Sequence, residues 1–114
     1  MLPGTHLHIL WTRDDLVTWR EFVVPYATNS LKYGWWERVT LIVWGSSTAL
    51  AARDAAVQRE LADLAEAGVE LTACRQCAEH LAADRILADL GVEVVYWGER
   101  LARVQAGGGA VLTI

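Results

Sequence analysis

Two cysteines, Cys74 and Cys77, stand three apart where the apolar run Val69-Glu70-Leu71-Thr72-Ala73 gives way to a helical stretch opening with Arg75-Gln76-Cys77-Ala78. A strand-to-helix corner is where an open α/β sheet gathers reactive groups. The helix start leaves unpaired N–H groups and a partial positive charge, an environment that favours a thiolate over a thiol. The chemistries open to such a pair are metal binding, dithiol redox cycling and sulfur handling, against the plain alternative of two small buried hydrophobes. Arg75, between the thiols, is a cation that either supports a thiolate or is simply solvated. His80, one turn beyond Cys77, either assists proton transfer or lies free on the helix. A second corner, Gly45-Ser46-Ser47-Thr48, offers hydroxyls at a helix start, so Ser46 and Ser47 form either an anion cradle or an ordinary N-cap.

Several chemistries fit poorly. A closed zinc site needs four ligands, and beyond the thiols the chain has His6, His8 and His80, the first two at the far end of a strand. A thioredoxin-type dithiol pairs its motif with a cis-proline in a later strand, but Pro3 and Pro25 both precede the cysteines. A flavin phosphate loop after the first strand would meet the carboxylates of Trp11-Thr12-Arg13-Asp14-Asp15. No cofactor and no metal are therefore expected. The formal net charge of -4 and the absence of a basic cluster argue against a nucleic-acid partner. No apolar run approaches the roughly 18 residues of a membrane span. The start Met1-Leu2-Pro3-Gly4 lacks a signal-peptide pattern, so a cytoplasmic location is expected, where paired cysteines are seldom structural staples.

The elements that must hold these residues follow from periodicity. With 114 residues, 54% hydrophobic and 21% charged, the chain is long enough for one packed domain, residues 1–114. Alternation predicts a first strand over Thr5 to Trp11, then a helix with Asp14 as N-cap, kinked at Pro25 and stopped by Gly34. Arg38 to Trp44 reads as a strand buried on both faces. One long helix is expected from Gly45-Ser46-Ser47 to Ala67, and a third from the cysteines to about Leu90. Val92 to Trp97, a short helix over Glu99 to Gln105 and a last strand over Ala110 to Ile114 complete the chain. Strands alternating with helices imply right-handed βαβ units in a three-layer α/β/α sandwich. Trp11, Trp44 and Trp97 each close a strand, so their rings are either core or interface packing or the walls of an aromatic pocket around the thiols.

The runs Tyr26-Ala27-Thr28-Asn29-Ser30, Gly34-Trp35-Trp36-Glu37-Arg38-Val39-Thr40-Leu41-Ile42-Val43-Trp44-Gly45 and Ala73-Cys74-Arg75-Gln76-Cys77-Ala78 resemble the DsrE-like proteins of the DsrE/DsrF/DsrH-type sulfur-relay superfamily. So do Gly91-Val92-Glu93-Val94-Val95-Tyr96-Trp97-Gly98-Glu99 and the closing Val111-Leu112-Thr113-Ile114. The resemblance implies a parallel five-stranded sheet in the order 4-3-2-1-5 and an oligomer, a trimer or hexamer rather than a dimer. In relay members a cysteine at the end of the third strand carries sulfur as a persulfide; the matching position is Cys74, with Cys77 a second or resolving thiol. Ala82 stands where relatives often carry glycine, so the third helix is expected to begin or bend differently.

The expected function is a sulfur carrier or sulfurtransferase-like protein working with sulfur-donor and acceptor proteins. The alternatives are an oligomeric binding or scaffold module with inert cysteines, and a dithiol redox protein. Leu16, Val17, Trp19, Phe22, Val23, Val24, Tyr26 and Leu31, followed by Trp35 and Trp36, carry more apolar surface than one helix face can bury. This segment is therefore the expected interface of a homo-oligomer.

Overall fold

Alternation along the strands sorts their side chains onto two unlike sheet faces. A computed structural model describes residues 5–114; the Met1–Gly4 start, with Pro3, lies outside them. Five strands, β1 (His6–Trp11), β2 (Arg38–Val43), β3 (Glu70–Cys74), β4 (Glu93–Val95) and β5 (Ala110–Thr113), form one parallel sheet in the order β4-β3-β2-β1-β5. The expected strand order and α/β architecture are the observed ones. Leu7, Ile9 and Trp11 pair in register with Val39, Leu41 and Val43, and with Leu71, Ala73 and Val94 they build the main core. The intervening residues His6, His8, Thr40, Ile42, Thr72 and Cys74 point to the other face.

Helices divide between the faces as right-handed crossovers require. The steps β1 to β2 to β3 to β4 all move one way across the sheet. They carry α1 (Leu16–Thr18), a π-helical turn (Trp19–Val23), α2 (Val24–Lys32), α3 (Ser46–Arg53), α4 (Ala55–Glu66), α5 (Arg75–His80) and α6 (Asp84–Asp89). Trp19, Val23, Leu50, Leu61, Leu64 and Leu87 from these elements all enter the main core. The return from β4 to β5 spans the whole sheet and carries only α7 (Gly98–Ala106). Its Leu101 joins a small second cluster with Ile42, Cys74 and Trp97. One nine-residue helix cannot cover five strands, so the amino-terminal half of this face stays polar and partly open.

Local structure departs from expectation at four points. Asp15, not Asp14, is the first N-cap, its carboxylate accepting from Val17 and Thr18 N–H at 2.9 and 3.2 Å. The strain expected at Pro25 is taken up one turn earlier, where Val24 N–H bonds Trp19 O across a π turn, so the missing proline N–H falls beside an already widened helix. The long helix after β2 is two helices, because Asp54 turns extended and caps α4 through Val57 N–H at 3.0 Å. The Gln58 amide then closes the end of α3 on Ala51 O and Ala52 O.

The third helix also breaks, at the position where the resemblance flagged an alanine. Ala82 has φ 53, with Ala82 N–H bonded to Glu79 O and Ala83 N–H to Ala78 O, the paired bonds of a Schellman cap. That left-handed position suits glycine, and an L-residue there carries a cost of about 1–2 kcal/mol. Ala82 is exposed and buries no side chain that glycine would lose. Ala82→Gly should therefore stabilise the protein by about 1 kcal/mol, read as a thermal midpoint several degrees higher. An unchanged or lower midpoint would show that the cap carries no strain.

Candidate functional site

The two cysteines share one edge of the sheet, where Cys77 packs against the cluster that holds Cys74, but they differ in access. Cys74 ends β3 on the second face, where strand alternation turns it under α7, and it is 4% exposed against Ile42 and Trp97. Cys77, in the first turn of α5, is half-buried and lines a cavity of about 560 Å³ at the carboxyl edge of the sheet. Asp14, Trp44, Ser46, Ala49, Gln76, His80 and Leu81 share that cavity. Both cysteines are free thiols. The accessible one is the second of the pair, whereas the resemblance to the DsrE-like proteins favoured the first.

The wall opposite Cys77 is the start of α3, and glycine brings it there. Gly45 has φ 81, and a Cβ on it would lie 3.1 Å from Thr12 O, so a side chain at this position would push α3 away from the end of β1. Ser47 then fastens the corner. Its buried hydroxyl lies 2.6 Å from Trp11 O and accepts from Trp44 N–H at 3.2 Å, tying the ends of β1 and β2 together. Ser47 is thus a clasp facing the backbone, while Ser46 is exposed at the cavity. Cys77 Sγ lies 3.8 Å from Gly45 O and 3.6 Å from the hydroxyl of Thr48.

Other expected participants separate. His80 lines the cavity with Cys77. Arg75 turns the other way, donating to Val94 O at 2.6 Å, meeting Glu79 at 3.8 Å and lying over the Tyr96 ring, so it secures β4. Of the three strand-closing tryptophans, only Trp44 lines the cavity. Trp11 stacks on Trp19 at 4.0 Å in the main core, and Trp97 donates to Thr72 Oγ1 at 2.9 Å beneath α7. Asp14 reads in the sequence as a cap and Gln76 carries no motif there. Thr48 belongs to the Gly45-Ser46-Ser47-Thr48 corner, but no sequence signal separates its hydroxyl from that of Ser47, which is equally buried.

A second polar cluster stands apart from the thiols on the open half of the second face. The His6 and His8 rings lie 4.0 Å apart, His6 Nε2 is 2.7 Å from Thr40 Oγ1, and Arg38 makes a two-point ion pair with Glu70 at 2.8 and 2.9 Å. Among the described residues no group of three or more His, Cys, Asp or Glu side chains is arranged to hold a metal ion.

A parallel α/β sandwich with an accessible thiol in a cavity at its carboxyl edge is the class that fold and site define. No family model matches the chain, and no curated protein does. A solved structure from Bacteroides thetaiotaomicron, a conserved protein of unknown function, is similar to it, with 36% identity and a TM-score of 0.93 over 96% of this chain and 94% of that one. The chain belongs to the same family as that Bacteroides protein.

The histidine cluster gives the protein a signature against acid. Burial pushes His6 and His8 below 6.5, helped for His6 by its neighbour His8 and for both by Arg38. The unfolded chain therefore takes up protons from about 6.5 downward that the folded chain refuses, so stability falls as pH drops below that value. Glu70 is held below 4.5 by its hydrogen bonds from Arg38, and this stabilisation is lost as pH falls on through that lower range. The thermal midpoint should be level above neutrality and decline below about pH 6.5. A His6→Gln, His8→Gln double variant should flatten the upper part of the decline and keep the lower. A decline identical in the variant would place its origin elsewhere.

Proposed function

We propose that the protein is a DsrE-like sulfur carrier of the cytoplasm, taking a sulfane sulfur from a donor protein onto a cysteine and passing it to an acceptor. The observation that carries this reading is the half-buried Cys77 thiol in an open cavity at the carboxyl edge of a parallel sheet, three residues after a buried companion. Persulfide transfer needs a nucleophilic sulfur that a partner can reach but bulk water does not fully surround. Cys77 meets both demands, and Cys74 serves as the second thiol.

The step balances without a cofactor. The Cys77 thiolate attacks the outer sulfur of R–S–SH, a new Sγ–S bond forms, the donor S–S bond breaks, and the donor leaves as R–S⁻. The reverse attack by an acceptor thiolate on the outer sulfur of Cys77–S–SH unloads it. His80 and Gln76 line the same cavity, and in this reading His80 exchanges the proton and Gln76 donates a hydrogen bond. Incubating the reduced protein with a persulfide donor should add one sulfur atom to the intact mass. Cys77→Ser should abolish the adduct and Cys74→Ser should retain it. Loading that depends on Cys74 alone would restore the assignment that the resemblance implies, and no adduct on either thiol would leave the inert scaffold.

The same reading makes the protein a homo-oligomer, a trimer or hexamer by resemblance to the DsrE-like family. Its support is a run of aromatics on the outer surface: Phe22 and Tyr26 at 5.6 Å, Tyr26 and Trp35 at 6.0 Å, Trp35 and Tyr33 at 5.7 Å. Tyr33 is 60% exposed and Phe22 and Trp35 are also exposed, whereas Trp36 folds inward and donates to Tyr26 OH at 3.4 Å. Adjacent exposed aromatics of this size are unfavourable in a monomer. Light scattering behind a sizing column should give a closed multiple of the chain mass, and Trp35→Lys should shift it toward monomer. A monomer at all concentrations would refute assembly, and an unaffected oligomer would place the interface elsewhere.

A further inference from the structure

The Thr48 side chain is fully buried in the first turn of α3, and a buried hydroxyl requires partners. Its side-chain partner among the described residues is Cys77, whose thiol lies 3.6 Å away with the Thr48 hydroxyl as one of its two acceptors, Gly45 O being the other. The nearest comparable hydroxyl, that of Ser47, is committed to Trp11 O and Trp44 O. Valine would fill the same space as threonine without burying an oxygen, so the position is chemically odd unless the hydroxyl serves the sulfur. A thiol has one hydrogen, and Gly45 O, 3.8 Å from Sγ, is an acceptor for it. With that hydrogen given to Gly45 O, the Thr48 O–H is free to donate to sulfur. When the sulfur is a thiolate it has no hydrogen to give, Gly45 O offers it nothing, and the Thr48 O–H is the contact that holds it.

We propose that Thr48 is a positioning residue whose hydroxyl donates to Cys77 Sγ, fixing the sulfur against α3 at the cavity wall. The proposal rests on Cys77 being the reacting thiol. It does not require that the electrophile be sulfur. The hydroxyl is fixed by the clasp beside it: Gly45 sets how close α3 comes, Ser47 anchors the corner to two strand ends, and Thr48 follows directly. A donor held this rigidly costs no reordering when the thiolate forms, the general advantage of a preorganised site.

The test is the alkylation rate of Cys77 by iodoacetamide in the reduced full-length protein. Trypsin cuts after Arg75, so Cys77 is read in a peptide separate from Cys74. Thr48→Val keeps the shape and removes the donor that holds the sulfur, and it should slow Cys77 alkylation about three-fold or more. Thr48→Ala should slow it similarly, and Thr48→Ser should restore it to within about two-fold of the parent. Equal rates in parent and Thr48→Val, or a serine variant as slow as valine, would overturn the proposal. A protein that accepts no persulfide yet still shows this dependence on Thr48 would sink the carrier reading and leave the positioning role intact.

Discussion

Handedness decides what this sheet can do with its two faces. Three successive right-handed crossovers place the helices from α1 to α6 against one face, where they bury Leu, Val and Trp side chains into a continuous core. The single return crossover has to reach from one edge strand to the other, and it brings only α7. The second face is consequently apolar where α7 lies, around Ile42, Cys74 and Trp97, and polar where it does not, around His6, Arg38 and Glu70. Neither the buried cysteine nor the histidine pair needs a functional explanation for its location. Both follow from how far one short helix extends.

The carboxyl edge depends in turn on one tight corner. Gly45 admits close approach to Thr12 O, and the Ser47 hydroxyl bridges the ends of β1 and β2, so the start of α3 is fixed against the sheet to within hydrogen-bond tolerance. Trp44 N–H already bonds Trp11 O across these strand ends at 3.1 Å, and a side-chain hydroxyl that bonds both groups as well removes freedom the corner would otherwise have. The cavity wall facing Cys77 is built from this corner. A loop of the same length without the clasp would leave that wall mobile, and the distance between Thr48 and the sulfur would vary with it.

Much of this was legible in the chain. The alternation Leu7, Ile9, Trp11 and the unbroken run Val39 to Val43 announced parallel strands, and Gly34 and Gly68 stop their helices at positive φ as expected. What the sequence concealed was where helices break. Asp54 sits among good helix formers, yet its side chain satisfies an N–H more effectively as a cap than mid-helix, and Gln58 reinforces the break from four residues on. Ala82 is harder still, since alanine favours helix more than any other residue; the chain turns there because burying Ala83 and Leu87 outweighs local preference. Rotation about the strand ends was equally hidden: three tryptophans at matching positions reach three different environments.

The asymmetry of the cysteine pair carries the most chemical weight. In a strand, alternate residues share a face, so Cys74 follows Thr72 onto the side that α7 covers. Three residues later the chain is helical and its side chains radiate from a different axis, which turns Cys77 toward α3 and the cavity. A C-x-x-C wholly within one helix would place both sulfurs on neighbouring positions of the same surface, with similar access. Straddling the junction instead gives one thiol a dry apolar seat and the other a doorway. Such a division leaves an incoming electrophile one thiol to meet, while the other stays screened in its apolar seat.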